Sequence, residues 1–273
     1  MSQSSREPRQ PAALSERVQA QFGAVASAYV TSATHAHGRD LARMVALAAP
    51  QPHDTVLDVA TGGGHTALAF APHVRCVVAS DLTTPMLQAA RQHITESGAR
   101  NVLYCRAAAE ALPFASEHFT LVTCRVAAHH FGSVRSFTAE AARVLQPGGR
   151  LLISDHIGLE DAALDAFMDF FERWRDPTHV RAYSLDEWQM FLEAAGLMLE
   201  HNEDDPREAY EFEAWTARMR MPPAERNALE QCLLAAPQRF RDFFEIVEQD
   251  DRVVSLRGNF GIMLARKPEQ PEE

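Results

Sequence analysis

Val56-Leu57-Asp58-Val59-Ala60-Thr61-Gly62-Gly63-Gly64 is the stretch that decides the fold, and Asp81 follows its last glycine by seventeen residues. The apolar run at its start is strand material, the glycines permit a tight turn, and His65-Thr66-Ala67-Leu68-Ala69-Phe70 continues as a helix. Strand, turn and helix start in this order form a unit that holds adenosine-containing cofactors. Glycine lets the backbone approach a ligand because no Cβ stands in the way. Unpaired N–H groups at the helix start favour a negative ligand group. Asp81 ends a second apolar run, Cys76-Val77-Val78-Ala79-Ser80, where a carboxylate can accept both hydroxyls of a ribose. The plain alternative is a βα turn that uses glycine for geometry alone.

Two cofactor classes fit this much. Gly62-x-Gly64-x-x-Ala67 satisfies a dinucleotide fingerprint in its G-x-G-x-x-A form. Downstream lie Ala107-Ala108-Ala109-Glu110-Ala111-Leu112-Pro113-Phe114, then Phe119-Thr120-Leu121-Val122-Thr123-Cys124-Arg125, then His129-His130-Phe131, and finally Val144-Leu145-Gln146-Pro147-Gly148-Gly149-Arg150. In this order and spacing the chain resembles the class I S-adenosylmethionine-dependent methyltransferases. Within them it is similar to the ubiquinone/menaquinone-biosynthesis branch, near small bacterial members of uncertain substrate. The resemblance covers roughly residues 35 to 200.

That resemblance implies S-adenosylmethionine as cofactor and S-adenosylhomocysteine as product. It implies that Asp58, inside the first strand, helps to hold the methionine amino group, and that Asp81 takes the ribose. The segment around Ala108, Ala109 and Glu110 lies against the adenine. Thr61, Gly62, Gly64, Leu82, Met86 and Arg125 complete the implied cofactor site, and Tyr29 matches a family aromatic that closes over it. Two positions depart from the family pattern. The first glycine of the acidic-x-Gly-x-Gly motif is Ala60, which fills space beside the cofactor. The residue before Ala109, often an acid that binds the adenine amino group, is Ala108, so adenine recognition would fall to backbone groups and to Leu82 and Leu112.

A chain of 273 residues suffices for one large α/β domain with an insertion. Its 46% hydrophobic and 23% charged residues are those of a soluble globular protein. The net charge of −11 argues against nucleic acid or an anionic membrane as main partner, since binding phosphate needs a basic patch. Cys76, Cys105, Cys124 and Cys232 show no C-x-x-C spacing, so neither a disulfide framework nor a metal site is expected. The first residues lack an apolar signal-peptide core, and no apolar stretch approaches the ~20 residues of a membrane span. A cytoplasmic protein is the expectation.

Along the chain, residues 1–14 are expected to be disordered, and 15–206 to form the cofactor-binding core with a leading helix that carries Val18, Phe22, Val25 and Ala26 on one face. Strand and helix then alternate, which calls for a doubly wound, mostly parallel sheet. Ser184-Leu185-Asp186-Glu187 reads as a capping box before a helix with Trp188, Phe191 and Leu192. Residues 207–250 are an aromatic- and methionine-rich helical insertion, a cover for the site or a homodimer contact. Residues 251–267 are a strand hairpin that completes a seven-stranded sheet, with its last strand antiparallel by family analogy, and 268–273 a tail.

Methyl transfer from a sulfonium needs alignment of nucleophile, methyl and sulfur more than it needs side-chain chemistry. A general base helps where the acceptor is a phenol, amine or acidic carbon. His129 and His130 after the fourth strand, and His156 at the end of the fifth, stand at the sheet edge where open α/β folds bind ligands. They are the candidate catalytic residues. Arg175, His179 and Arg181 beyond the fifth strand are candidate contacts for an acidic substrate group, or members of an ion network. The reading is a methyltransferase for a small, aromatic or polyketide-like metabolite. Three alternatives stay open: a non-methylating enzyme that keeps the cofactor as a structural element, an NAD-linked oxidoreductase, and a regulatory cofactor-binding module.

Overall fold

Strand β1 (Thr55–Val59) is buried along its whole length, which fixes it at the centre of a sheet covered on both faces. The computed structural model describes residues 11–30, 38–204 and 209–269. Ahead of β1 come helices α1 (Pro11–Val30) and α2 (Arg39–Ala48). After it follow α3 (His65–Phe70), β2 (Cys76–Asp81), α4 (Thr84–Glu96), β3 (Val102–Arg106), β4 (Phe119–Arg125), α5 (Val134–Val144) and β5 (Leu145–His156). The second half runs through α6 (Ala162–Arg175), α7 (Leu185–Ala194), β6 (Met198–Asp204), β7 (Tyr210–Glu211), α8 (Phe212–Arg218), α9 (Pro223–Leu234) and α10 (Gln238–Phe243). It closes with β8 (Val247–Gln249), β9 (Arg252–Leu256) and β10 (Phe260–Arg266).

The main sheet has the order β3-β2-β1-β4-β5-β10-β6. Its strands are parallel except β10, which runs antiparallel between β5 and β6. The chain leaves β1 toward β2 and later returns to β4 on the other side, so β1 and β4 flank the switch point at which open α/β sheets bind ligands. Alternate residues of β1 feed two cores. Val56 packs with Met44, Phe70, Val77 and Leu121 on one face. Leu57 and Val59 pack with Phe119, Phe137, Val144 and Trp188 on the other.

Local chemistry sets the element ends. Ser184 accepts from Glu187 N while the Glu187 carboxylate accepts from Ser184 N, the capping box expected for α7. The N-cap of α4 is Thr83, one residue before the Thr84-Pro85 pair, and its N–H is bound by Asp81 rather than its own side chain serving as cap. Ala60, which replaces the family glycine, is forced to φ 54°. A non-glycine residue there costs on the order of 1–3 kcal/mol.

Two boundaries differ from the expectation. Helix α1 begins at Pro11 and buries Leu14, so residues 11–14 are its first turn and not a disordered lead; an apolar side chain with a surface to cover ordered them. Residues 252–256 do not join the main sheet. They pair with β7 and β8 in a separate three-stranded antiparallel sheet, and β10 alone completes the large one. That small sheet and α8 to α10 bury Tyr210, Phe212, Trp215, Leu229, Phe244 and Leu256 against Leu164, Met168 and Phe171 of α6.

Gly64 and Gly62 separate two uses of glycine. A Cβ on Gly64, at φ 83°, would stand 2.8 Å from Ile94 Cδ1 and 3.0 Å from Ala90 Cβ, whereas one on Gly62, at φ 54°, would meet nothing within 4 Å. Gly64→Ala should therefore lose about 2–4 kcal/mol of unfolding free energy from overlap plus strain, and Gly62→Ala only about 1 kcal/mol from strain. Urea unfolding of both variants checks this; equal losses would contradict it.

Candidate functional site

The turn after β1, the end of β2 and the end of β4 converge on one cleft of about 380 Å³. Thr61 and Gly62 form one wall, with Asp81, Leu82 and Met86 beside them, then Ala107 to Glu110, and Arg125 to Ala127 opposite. Helix α1 supplies a side that sequence reasoning did not assign: Leu14, Val18 and Phe22, spaced four residues apart, all face the cleft. Residues at i, i+4 and i+8 share one helix face.

Asp81 is the polar anchor. Its Oδ2 accepts from Gly62 N at 3.0 Å and its Oδ1 from Thr83 N at 2.8 Å. Each carboxylate oxygen keeps a further lone pair for a ligand donor. Burial pushes its pKa up, opposed by the backbone bonds from Thr83 and Gly62. Asp58 behaves differently from expectation. Only 1% exposed, it accepts from Thr123 Oγ1 at 2.8 Å and Thr61 Oγ1 at 2.6 Å. It lies one layer beneath the cleft and reaches it through Thr61. Burial raises its pKa to about 6, against the pull of the two threonine hydroxyls and Arg125.

Arg125 lines the cleft and forms a buried bidentate pair with Asp40 of α2, at 2.5 Å through Nε and 2.9 Å through Nη2. Such forked pairs are the strong class, and this one ties α2 to the end of β4. Glu110 faces the cleft while its Oε1 accepts from Gly132 N. Ala108 and Ala109 line the cleft as expected in position. Two expected contacts lie elsewhere: Leu112 is in the core, and Gly64 packs against α4, because the tight helix contact needs its missing Cβ. Tyr29 lies on α1, but its side chain is outside the described residues. His65 lines the cleft and was not singled out.

Of the candidate catalytic histidines, His130 alone lines the cleft, in a T-shaped contact with Phe22 at 4.9 Å. His129 stands behind it, its Nδ1 2.5 Å from Asp155 Oδ1. His156 turns toward Phe260, ring to ring at 4.0 Å, with Nδ1 3.8 Å from Glu172. The three candidate substrate residues do not reach the cleft. Arg175 donates to Trp215 O and stacks over that ring. Arg181 pairs with Glu187 beside a second, polar cavity of about 820 Å³. His179 is buried next to His129, with ring centroids 5.1 Å apart. Arg181 found a carboxylate six residues along the chain and Arg175 a carbonyl and a ring forty residues away, which no spacing rule reveals.

The residues fit an adenosine-bearing cofactor. The space beside Gly62 stays open where a Cβ would intrude, Asp81 presents acceptors at the end of β2, and Leu82, Met86 and Ala108 offer an apolar slot for a base. Among the described residues, no helix is long and apolar enough to cross a membrane.

The profile of a family described as Methyltransferase domain matches residues 57–153. Over 173 residues the chain is 43% identical to the uncharacterized methyltransferase YcgJ of Bacillus subtilis, covering 63% of this chain and 68% of the relative. Over 104 residues it is 36% identical to the ubiquinone/menaquinone biosynthesis C-methyltransferase UbiE of Francisella philomiragia subsp. philomiragia, covering 37% of this chain and 42% of that protein. A crystal structure of a Bacillus halodurans protein assigned as a methyltransferase superposes with TM-score 0.80 at 43% identity, over 85% of this chain and 100% of that one.

The raised pKa of Asp58 has a measurable consequence. An acid that holds its proton more tightly folded than unfolded adds stability below its unfolded pKa, and loses it as pH rises through the folded value. For Asp58 that window runs from the ordinary carboxylate range to about pH 6. Relative to Asp58→Asn, the wild type should therefore lose roughly 2–3 kcal/mol between pH 4 and pH 7. Denaturant unfolding of both proteins across this range checks it, and parallel curves would refute the assignment.

Proposed function

The chain belongs to the class I S-adenosylmethionine-dependent methyltransferases, and from that premise we propose that it methylates a small, aromatic or polyketide-like metabolite held in the cleft beside the cofactor. The observation that carries this reading is Asp81, at the C-terminal end of β2, facing a glycine-lined cleft at the switch point of the sheet. S-adenosylmethionine, when bound, supplies a methyl group already activated on a positively charged sulfur.

The protein's own residues then have four tasks. Asp81 accepts hydrogen bonds from the ribose hydroxyls, in the charge-assisted and therefore stronger class. Leu82, Met86 and Ala108 bracket the adenine. Thr61 and Gly62 approach the amino-acid end, and the ionised form of Asp58 behind Thr61 adds negative potential toward its ammonium. Leu14, Val18, Phe22 and Phe131 exclude water from the transfer axis, and their apolar character supports a metabolite with a ring or hydrocarbon body. Alignment of this kind is worth ~7–11 kcal/mol of barrier. The family assignment favours S-adenosylmethionine over a dinucleotide at the glycine turn.

Asp81→Ala should weaken S-adenosylhomocysteine binding at least tenfold, since hydrogen bonds to a charged group are worth about 1.5–3 kcal/mol each. Isothermal calorimetry on wild type and variant, with circular dichroism as the folding control, measures it. Equal affinities, or calorimetric binding of NADH in preference to S-adenosylhomocysteine, would overturn the reading.

A further inference from the structure

Four imidazoles gather in and behind the cleft wall. His129 lies 4.0 Å from His130, 4.5 Å from His156 and 5.1 Å from His179, centroid to centroid. They arrive from the turn after β4, the end of β5 and the loop after α6. Buried Asp155 and Asp176 hold His129 and His130, and buried Glu172 lies 3.8 Å from His156. Asp155 accepts from His129 Nδ1 and from the N–H groups of Ala127, Ala128 and His156. Asp176 accepts from Thr178 N and Thr178 Oγ1, and its Oδ2 lies 3.8 Å from His130 Nε2. Burial pushes both carboxyls up, but the imidazoles and these hydrogen bonds outweigh it and hold both below their ordinary range.

The hydrogen bonds fix which nitrogen of His130 carries its hydrogen. Nδ1 lies 3.1 Å from Thr178 O, a carbonyl that only accepts, and 3.2 Å from Thr178 Oγ1, whose own proton goes to Asp176. Nδ1 is therefore the donor, and Nε2 keeps the lone pair. Burial and the neighbouring His129 push the His130 pKa down to about 4, so that lone pair is free at neutral pH. A proton taken there would sit beside Asp176. Backbone strain marks the same place: Val126, a β-branched residue in the cleft wall, is held at φ 54°, and Asp155 grips the next two N–H groups.

Charge limits what can stand opposite. Arg125 is the only cation lining the cleft among the described residues, and Asp40 holds it in both forks. Arg173 is bound to Asp169 and Val180 O, and Arg175 and Arg181 point elsewhere. Asp81 and Glu110 also line the cleft. Among the described residues, an acceptor that arrives as a carboxylate or phosphate would meet no side-chain cation but Arg125, which is already paired with Asp40. His179, 3% exposed, stays behind the wall, with Nε2 4.0 Å from Asp169 Oδ1.

Resting on the methyltransferase reading, we propose that the acceptor is a neutral, weakly acidic hydroxyl compound, a phenol or enol methylated on oxygen, and that His130 is its general base. Asp176 and the Asp155–His129 pair are positioning residues. The acceptor oxygen bonds the methyl carbon as the methyl–sulfur bond breaks, with that electron pair staying on sulfur. The hydroxyl proton passes to His130 Nε2 and from there to water.

The test uses the full chain with S-adenosylmethionine, phenol, p-cresol, p-nitrophenol and benzoate. Wild type should methylate the phenols and leave benzoate untouched. His130→Asn keeps a donor toward Thr178 O and removes the basic nitrogen. It should lose about 10²–10⁴-fold in kcat with phenol and cresol, and less with un-ionised p-nitrophenol, the more acidic hydroxyl, which depends less on a base. Asp176→Asn should shift the acidic limb of the kcat profile to lower pH, an effect that mere loosening of the fold does not produce. Long-range nitrogen NMR on the cofactor-free protein should show His130 as the Nδ1–H tautomer at pH 7, and the Nε2–H tautomer overturns the base assignment. Benzoate methylation, no methylation of any phenol, or equal losses on phenol and p-nitrophenol likewise overturn the proposal. Calorimetry separates the two levels: failure of wild type to bind S-adenosylhomocysteine defeats the methyltransferase reading itself, whereas binding without phenol methylation defeats only the acceptor assignment.

Discussion

Asp58 bridges the fork between β1 and β4. One carboxylate oxygen takes the hydroxyl of Thr123 from β4, and the other takes Thr61 from the turn that leaves β1. The two strands are neighbours in space although sixty-five residues separate Asp58 from Thr123. At this fork the chain must depart in opposite directions, and the resulting crevice has no backbone of its own to fill it. A buried carboxylate with two hydroxyl donors holds the turn and the strand in register across that gap. The glycines, Asp81 and the Arg125–Asp40 pair then take their places around a frame already fixed.

Much of this frame was legible because its constraints are local. A strand that runs into glycines, an acid at the end of the next strand, and a capping box before Trp188 each concern residues within one or two turns of one another. What could not be read concerns partners set by folding. Asp40 meets Arg125 across eighty-five residues, and no pattern around Asp40 announces it. Leu14, Val18 and Phe22 are an ordinary apolar stripe until the helix is seen to close a cleft. His179 sits in an ion-rich segment that invited a substrate role, yet burial beside His129 placed it behind the wall. Arg175 and Arg181 illustrate the reverse: a dense basic run whose charges are satisfied by nearby groups. Residues 252–256 carry strand chemistry, but nothing local says which sheet a strand will join.

The polar cluster behind the cleft is costly. Carboxylates and four imidazoles buried together stabilise a fold no better than apolar residues of the same volume would, and often less. Here Asp155 offsets its desolvation with three backbone donors besides His129, and Asp176 with both donors of Thr178. Each carboxylate is a rigid fixture, and the imidazoles take their orientation from it. Strain at Ala60 and Val126, on the two turns that leave β1 and β4, adds to the cost at the same spot. Stability is given up where the chemistry is concentrated and is recovered in the two cores on either face of the sheet.

Helix α1 links cleft occupancy to the hold on its own twenty residues. It packs mainly against α4, touches α8, and is tied through Arg17 to Pro177 O and through Gln19 to Arg106, while Leu14, Val18 and Phe22 form a side of the cleft. A molecule that fills the cleft touches this helix directly, so its binding free energy adds to whatever keeps the helix docked. Occupancy and helix docking are then two readings of the same equilibrium.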